Sequence, residues 1–193
     1  ATAVRPRVLG WGATPEEVRG RMPGDDLVPE PNLLSTRAVS IDASPGDVWP
    51  WLVQMGSGRG GAYTYDWIEN LFGLDMHSAD TILPEFQSLA VGDALPLGSK
   101  GPVMRVMELE PERTLVFQSN DLAWVWAFTL RPAGGGTRLV SRNRILTPGS
   151  SVVGGALYRW VMEPGSLVME RKMLQGIRQR AERGALTPDG DVR

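Results

Sequence analysis

The segment from Ala123 to Leu146 constrains the fold of this 193-residue chain most strongly. It contains two runs with alternating side-chain character, "AWVWAFTLR" and "TRLVSRNRIL", which are joined by "PAGGG". Alternation with a period of two is typical of β-strands, and a short Gly-rich connection is typical of a hairpin. The sequence therefore predicts an antiparallel hairpin with a loop of about five residues. A helical region from about residue 151 to 184 follows it, interrupted at "EPG" (163–165).

The rest of the chain predicts further strands and one early helix. "STRAVSI" from Ser35 alternates and predicts a first strand, and three more strands are predicted at 90–97, 103–109 and 114–119. "SPGDVWPWLVQMG" predicts a helix capped by Ser44, and four apolar residues at helical spacing predict its buried face. These are Val48, Trp51, Leu52 and Met55. The order of elements predicts an α+β domain, in which a curved antiparallel sheet wraps around a long C-terminal helix and leaves a cavity.

The first 34 residues have the character of an arm. In "TPEEVRGRM", Thr14, Pro15 and Glu17 have the spacing of a capping box, which predicts a short helix to about Met22. We therefore predict an arm at 1–34, a compact domain at 35–185 and a tail at 186–193. The domain carries a helical insertion at 66–80.

Composition excludes several classes of function. The chain has no Cys, which excludes disulfides, thiolate catalysis and Cys-based metal sites. The net charge of −2 and the absence of a basic stripe argue against a nucleic-acid partner. No apolar run reaches the ~20 residues of a membrane span, and the N-terminus lacks the apolar core of a signal peptide. A soluble cytoplasmic protein is expected, and the sequence does not indicate its oligomeric state.

Glu170 lies inside an apolar stripe of the predicted terminal helix. The stripe consists of Leu167, Met173, Leu174, Ile177 and Ala181. A carboxylate that faces a core must be paired, hydrogen-bonded or protonated. One interpretation is a structural ion pair with an Arg of the sheet, and the other is a general acid/base with a pKa raised by burial.

The last predicted strand has two faces of different chemistry. Arg138, Arg142 and Arg144 share one face, while Ser141 and Asn143 share the other. If the Arg face points outward, it is a solvated surface, and Ser141 and Asn143 line the cavity. If it points inward, Arg142 can bind a ligand carboxylate in bidentate fashion.

The preceding strand places Trp124, Trp126 and Phe128 on one face, opposite small residues. Such an aromatic face is expected to be buried, where it either fills the core or lines a pocket for a flat apolar ligand.

The stretch "GAYTYDWIENLFGLDMHSAD" (61–80) combines polar groups and aromatic rings. It predicts a short helix from Asp66, with Trp67 and Leu71 on the inner face, covering the mouth of a pocket. Tyr63 and Tyr65 would share one side of the segment leading in and donate hydrogen bonds to the pocket. His77 is either a proton shuttle or a solvated turn residue.

A metal site is also conceivable in this stretch, because Asp75, His77 and Asp80 are close in sequence. The chain has no second His, which a non-haem iron site usually needs. We therefore predict neither a metal nor another cofactor.

Several segments resemble a known superfamily. "TRAVSIDASPGDVWPWLVQMG" and "VMRVMELEPERTLVF" are similar to the first strand and helix and to the central strands of the SRPBCC group, also called Bet v 1-like or START-like. "GGAYTYDWIENLFGLDMHSAD" and "EPGSLVMERKMLQGIRQRAE" resemble a bacterial branch of the polyketide cyclase/dehydrase type. The resemblance covers about 35–184. It implies a helix-grip fold, in which the terminal helix closes a pocket for a hydrophobic ligand.

Residues and resemblance together lead to one functional hypothesis with alternatives. The chain is expected to bind a small hydrophobic molecule, and it either catalyses a cyclase/dehydrase-like reaction or acts as a carrier of a lipid or metabolite. A third possibility is a protein-interaction module that docks a partner through the arm or the insertion. The acid/base candidates are Glu170, His77, Tyr65 and Tyr63. The ligand-binding candidates are Trp124, Trp126, Phe128, Trp67, Leu71, Ser141, Asn143 and Arg142.

Overall fold

The computed structural model describes residues 8–71, 76–98, 102–146 and 163–186. Six antiparallel strands in these ranges form one sheet in the order β1-β6-β5-β4-β3-β2. The strands are β1 (Leu33–Ile41), β2 (Ala94–Pro96), β3 (Val103–Glu110), β4 (Thr114–Ser119), β5 (Trp124–Ala133) and β6 (Gly136–Ile145). The helices are α1 (Pro15–Arg19), α2 (Pro45–Val53), α3 (Asp66–Leu71) and α4 (Glu163–Ala185), and a 3₁₀ turn spans Pro84–Phe86. This arrangement confirms the expected α+β helix-grip fold.

The hairpin of β5 and β6 is tighter than predicted. Pairing continues through Ala133 and Gly136, so that the loop has only two residues, Gly134 and Gly135, both with positive φ (60° and 88°). Two glycines with positive φ form the type of turn that matches the right-handed twist of the strands. The strands therefore pair to the tip of the hairpin, and the predicted five-residue loop is wrong.

One face of the sheet, here called the inner face, packs against α2 and α4. The helix α2 begins at the predicted cap Ser44, which forms a capping box with Asp47, and its predicted buried face is confirmed. The terminal helix α4 begins at Glu163, so the predicted interruption at 163–165 is its first turn, where proline is tolerated. The helical part expected upstream of residue 163 lies outside the described residues.

The outer face of the sheet is covered by the N-terminal arm, described here from residue 8 to 32. The predicted capping box of Thr14 and Glu17 is confirmed, although α1 ends at Arg19. Met22 and Val28 of the arm close a second apolar cluster on this face. The sheet contributes Ala38, Val116, Val125, Ala127 and Val140 to that cluster. The outer face is therefore buried over β1, β4, β5 and β6, whereas β3 keeps exposed side chains such as Met107.

The arm crosses from one face to the other over the edge of β1. The amide of Ala38 donates to the carbonyl of Trp11 across 3.1 Å. Gly12 follows with a φ of +72°, and a Cβ atom there would lie 2.1 Å from the carbonyl oxygen of Ala38. Only glycine allows so close an approach, and the crossing covers an edge strand that would otherwise expose unpaired backbone groups.

The Arg face of β6 points outward, but it is not solvated. Arg142 is only 2% exposed, and it donates to Asp25 at 2.8 Å and to the carbonyl oxygens of Gly20 and Glu17 at 2.9 and 2.6 Å. Arg144 donates to the carbonyl of Val28. The predicted solvated surface is therefore wrong, because the arm supplies the acceptors. Arg142 therefore points away from the inner face, and the alternative in which it faces inward and binds a ligand carboxylate is wrong.

None of the helices within the described ranges is long and apolar enough to cross a membrane.

Glu17 makes the docking of the arm sensitive to pH. Its hydrogen bonds with Arg138 hold the pKa of Glu17 below its ordinary value of 4.5, against the opposing effect of burial. A carboxyl whose pKa is lowered by folding stabilises the fold above its unfolded pKa, and this contribution is lost as pH falls through the folded pKa. We expect Glu17→Gln to reduce the free energy of unfolding at pH 7, and the difference from wild type to shrink below pH 4.5.

Urea denaturation at several pH values measures this difference. Glu30→Gln is the matched control, because Glu30 is an exposed carboxyl of the same arm. A difference between wild type and Glu17→Gln that is independent of pH would contradict the prediction.

Candidate functional site

A cavity of about 500 Å³ lies between the inner face of the sheet and α4. This volume is within the range of small-molecule sites, and the walls are mainly apolar. The lining comes from β1, β5, β6, α4, the segment around residue 63 and the turn between β4 and β5. It comprises Leu33, Ser35, Arg37, Ala62, Thr64, Pro102, Ser119, Asp121, Ala123, Trp124, Trp126, Asn143, Ile145, Leu146, Ser166, Met169, Glu170 and Met173.

An ion pair between Arg37 and Glu170 forms the polar floor of the cavity. Arg37 on β1 is completely buried and Glu170 on α4 is 7% exposed. Arg37 Nη1 donates to Glu170 Oε2, and Nη2 donates to the hydroxyl of Ser166 at 3.2 Å. The ion-pair interpretation of Glu170 therefore describes the structure. The partner comes from β1, whereas the sequence directed attention to the arginines of β6.

Two side chains of β6 complete the partners of Glu170. Its Oε1 accepts from the hydroxyl of Ser141 at 2.6 Å and from Nδ2 of Asn143 at 3.1 Å. Ser141 in turn accepts from the indole N–H of Trp126 at 3.1 Å, and Oδ1 of Asn143 accepts from that of Trp124 at 2.8 Å. An indole can only donate, so the direction of both hydrogen-bond chains runs from tryptophan to Glu170. The network therefore holds both indoles in one orientation.

The two indoles form a flat wall of the cavity. Their ring centroids are 5.8 Å apart, and their planes differ by 22°. Each ring is held at its nitrogen by a hydrogen bond, and the two rings stack on each other. A wall of this kind favours a flat, apolar ligand.

Opposing effects act on the carboxyl of Glu170. Burial raises the pKa of Glu170 above its ordinary value, while the Arg37 guanidinium and the hydrogen bonds from Ser141 and Asn143 act in the opposite direction. All three partners donate to the carboxylate oxygens, which is the arrangement that an ionised carboxylate requires.

The other three acid/base candidates do not line the cavity. Tyr63 is 1% exposed, and its hydroxyl donates to the carbonyl of Trp51 at 2.9 Å. Burial raises the pKa of Tyr63 further above its ordinary value, which makes it a poor proton donor. Tyr65 lies near the surface with the Lys172 ammonium 5.7 Å from its ring centroid, and His77 is exposed. Residues 62–65 are not a strand, and Ala62 and Thr64 face the cavity there.

Two aromatic candidates also lie elsewhere. Trp67 is 70% exposed, so its predicted place on an inner face is wrong. Phe128 is fully buried, and it packs in the core against Phe117, with ring centroids 6.5 Å apart. The side chain of Leu71 lies outside what the structure describes.

Asp80, one of the three residues considered for a metal, pairs with Arg180 at 2.8 Å. No group of three His, Asp or Glu side chains within the described ranges is close enough to hold a metal ion, and Asp75 lies outside these ranges.

Sequence reasoning missed Arg37, Ser35 and Thr64. Arg37 and Ser35 are in phase with the buried Val39 and Ile41 on β1, and this phase is a signal that an inward-facing arginine leaves in a sequence. The contribution of Thr64 had no such signal, since the segment around it is irregular. Its hydroxyl is buried, and it has no hydrogen-bond partner among the described residues.

Removing one partner of the floor ion pair should be strongly destabilising. Glu170→Leu leaves Arg37 buried and unpaired, and we expect a loss of about 3–5 kcal/mol in the free energy of unfolding. The double variant Arg37→Met/Glu170→Leu replaces both charges by apolar groups and should recover most of that loss. Urea denaturation of both variants measures the two values. A double variant no more stable than Glu170→Leu would show that the loss has another origin.

Comparisons with known proteins concern the fold. No protein-family model and no curated protein matches the chain. Among solved structures, the KanY protein is 16% identical with a TM-score of 0.50, over 78% of this chain and 97% of that one. Protein MLL2253 from Mesorhizobium loti is 20% identical with a TM-score of 0.48, over 78% of this chain and 98% of that one. The Polyketide_cyc-like protein Cgl2372 from Corynebacterium glutamicum is 16% identical with a TM-score of 0.39, over 79% and 88%.

At these identities a likeness informs on the fold and not on activity. The likeness to KanY extends over 78% of this chain and nearly the whole of that chain, and it concerns the fold alone. The chain has a helix-grip fold.

Proposed function

We propose that the protein binds a small hydrophobic molecule in the cavity between its sheet and α4. The observation that carries the proposal is a cavity of about 500 Å³ with mainly apolar walls and one hydrogen-bonded polar floor. Sites for small molecules commonly combine a large apolar surface with a few placed polar groups.

The order in the cavity wall supports binding without large rearrangement. Trp124 and Trp126 are each held by a hydrogen bond to β6, and Asn143 and Ser141 are held in turn by Glu170. A ligand that stacks on these rings does not have to order them first, so less conformational entropy is lost on binding. This arrangement favours a flat, apolar ligand.

The engagement of Glu170 favours a carrier over a catalyst. A general acid or base must be free to exchange a proton with the substrate. Of the four acid/base candidates only Glu170 lines the cavity, and both of its oxygens accept hydrogen bonds from protein donors. The geometry therefore supports reversible holding of a ligand better than its turnover.

Cyclase/dehydrase-like catalysis is a second candidate, because one carboxylate does face the cavity. Exchange of the methyl protons of 2-acetylnaphthalene in D₂O, followed by NMR, tests for proton transfer to and from an enolisable ketone. Acceleration by the wild type that is lost in Glu170→Gln would favour this candidate over a carrier. Equal rates with and without the protein would support the carrier.

Docking of a partner through the arm is supported less well. The described part of the arm is packed against its own sheet, where Arg138, Arg142 and Arg144 take up its carbonyl oxygens.

Filling the cavity should abolish binding. Ala62 lines the cavity, and we expect Ala62→Trp to occupy the space of the ligand. Titration with the neutral dye N-phenyl-1-naphthylamine, whose emission rises in apolar sites, measures the effect. We expect saturable binding to the wild type and a loss of affinity of at least about tenfold in Ala62→Trp.

Ala133→Trp is the matched control, because Ala133 is exposed at the tip of the hairpin. It adds the same side chain to the surface and should leave the titration unchanged. Saturable binding of equal strength in Ala62→Trp would place the dye outside the cavity and contradict the proposal.

A further inference from the structure

We infer that Glu170 determines the charge preference of the cavity, so that the cavity accepts uncharged ligands and rejects carboxylates. The inference rests on the proposed function, since it concerns the ligand of the same site. It assigns Glu170 a role as the internal counter-ion of Arg37, in place of a role in proton transfer.

The charges around the cavity support this preference. Three residues of the described lining carry a charge, namely Arg37, Glu170 and Asp121. Arg37 and Glu170 neutralise each other at the floor. Asp121 remains at the exposed end, where its carboxylate accepts from the hydroxyl of Ser119. An anionic ligand would therefore find no unpaired cation in this lining and would add a like charge to two carboxylates.

The geometry of Arg37 reinforces the argument. Each of its three nitrogens already has a protein acceptor: Nη1 has Glu170, Nη2 has Ser166, and Nε has the carbonyl of Val8 at 3.4 Å. A ligand carboxylate could form a bidentate pair with Arg37 only by displacing Glu170. The displaced Glu170 would then be a buried charge without its partner, which is strongly unfavourable.

A hydroxyl remains available for an uncharged ligand. Ser35 lines the cavity two residues before Arg37 on the same face of β1, and its side chain is 2% exposed. Within the part of the chain that the structure describes, no hydrogen bond engages this hydroxyl. A hydroxyl both donates and accepts, so it suits a ketone, an ether or an alcohol. The ligand class is thus a flat apolar molecule with a neutral oxygen function.

Two probes of similar shape test the inference, 2-naphthylmethanol and 2-naphthoate. Isothermal titration calorimetry at low ionic strength measures their affinities for the wild-type protein. We expect naphthoate to bind at least about tenfold more weakly than the alcohol, because it meets paired charges at the floor. Equal affinities in the wild type would overturn the inference, and this comparison requires no variant.

The variant Glu170→Gln tests the role of the residue itself. It keeps an oxygen for Ser141 and Asn143, but it removes the counter-ion of Arg37. We expect the ratio of the affinity for naphthoate to that for the alcohol to rise at least about tenfold. Glu182→Gln is the matched control, because it removes one negative charge from the same helix, from a side chain paired with Arg178 away from the cavity lining.

The outcomes separate the inference from the proposed function. If Glu170→Gln retains the wild-type circular dichroism spectrum but does not gain affinity for naphthoate relative to the alcohol, Glu170 does not set the charge preference. A similar gain in Glu182→Gln would also overturn the inference, because it would show a general effect of net charge. If neither probe binds the wild type, that result counts against the proposed function and the inference fails with it. If both probes bind the wild type with equal affinity, the inference is overturned and the proposed function is not.

Discussion

The buried ion pair between Arg37 and Glu170 is the interaction on which the inner face of the protein depends. Neither charge is stable alone in the interior, because an unpaired buried charge costs several kcal/mol. The pair connects the edge strand β1 to the helix α4. Ser141 and Asn143 join it from β6, and the two tryptophans are oriented through them. The position of α4 and the shape of the cavity are therefore set by one network.

Arginine side chains have different kinds of partner on the two faces of the sheet. On the inner face a single guanidinium is matched by a single carboxylate next to a cavity. On the outer face three arginines are matched mostly by backbone carbonyls of the arm, with help from Glu17 and Asp25. The strand β6 lies inside the sheet and contributes to both sites. Because its side chains alternate, Ser141 and Asn143 point to the inner face and the three arginines point to the outer face. The arm is thus held on one face of the sheet, and the cavity lies on the other.

Local patterns predicted most of the elements. The capping box at Thr14, the cap at Ser44, the buried face of α2 and the alternation of β5 and β6 depend on residues close in sequence, and the structure confirms them. Predictions at 61–80 fared less well. Residues 62–65 are irregular and have no period from which the direction of a side chain can be derived, and α3 has only six residues, too few for its period to show which side faces inward. Tyr63 thus points into the core and Trp67 into solvent.

The sequence by itself determined the α+β class, the alternation that separates Ser141 and Asn143 from the arginines of β6, and the need of Glu170 for a partner in the core. Only the tertiary structure decided that this partner is Arg37, 133 residues away in sequence, and that the arm covers the outer face. The physical reason is that a charged residue in an apolar stripe requires a partner in the core, but the sequence around it does not identify that partner. That choice depends on which strand lies opposite α4 once the sheet has closed around it.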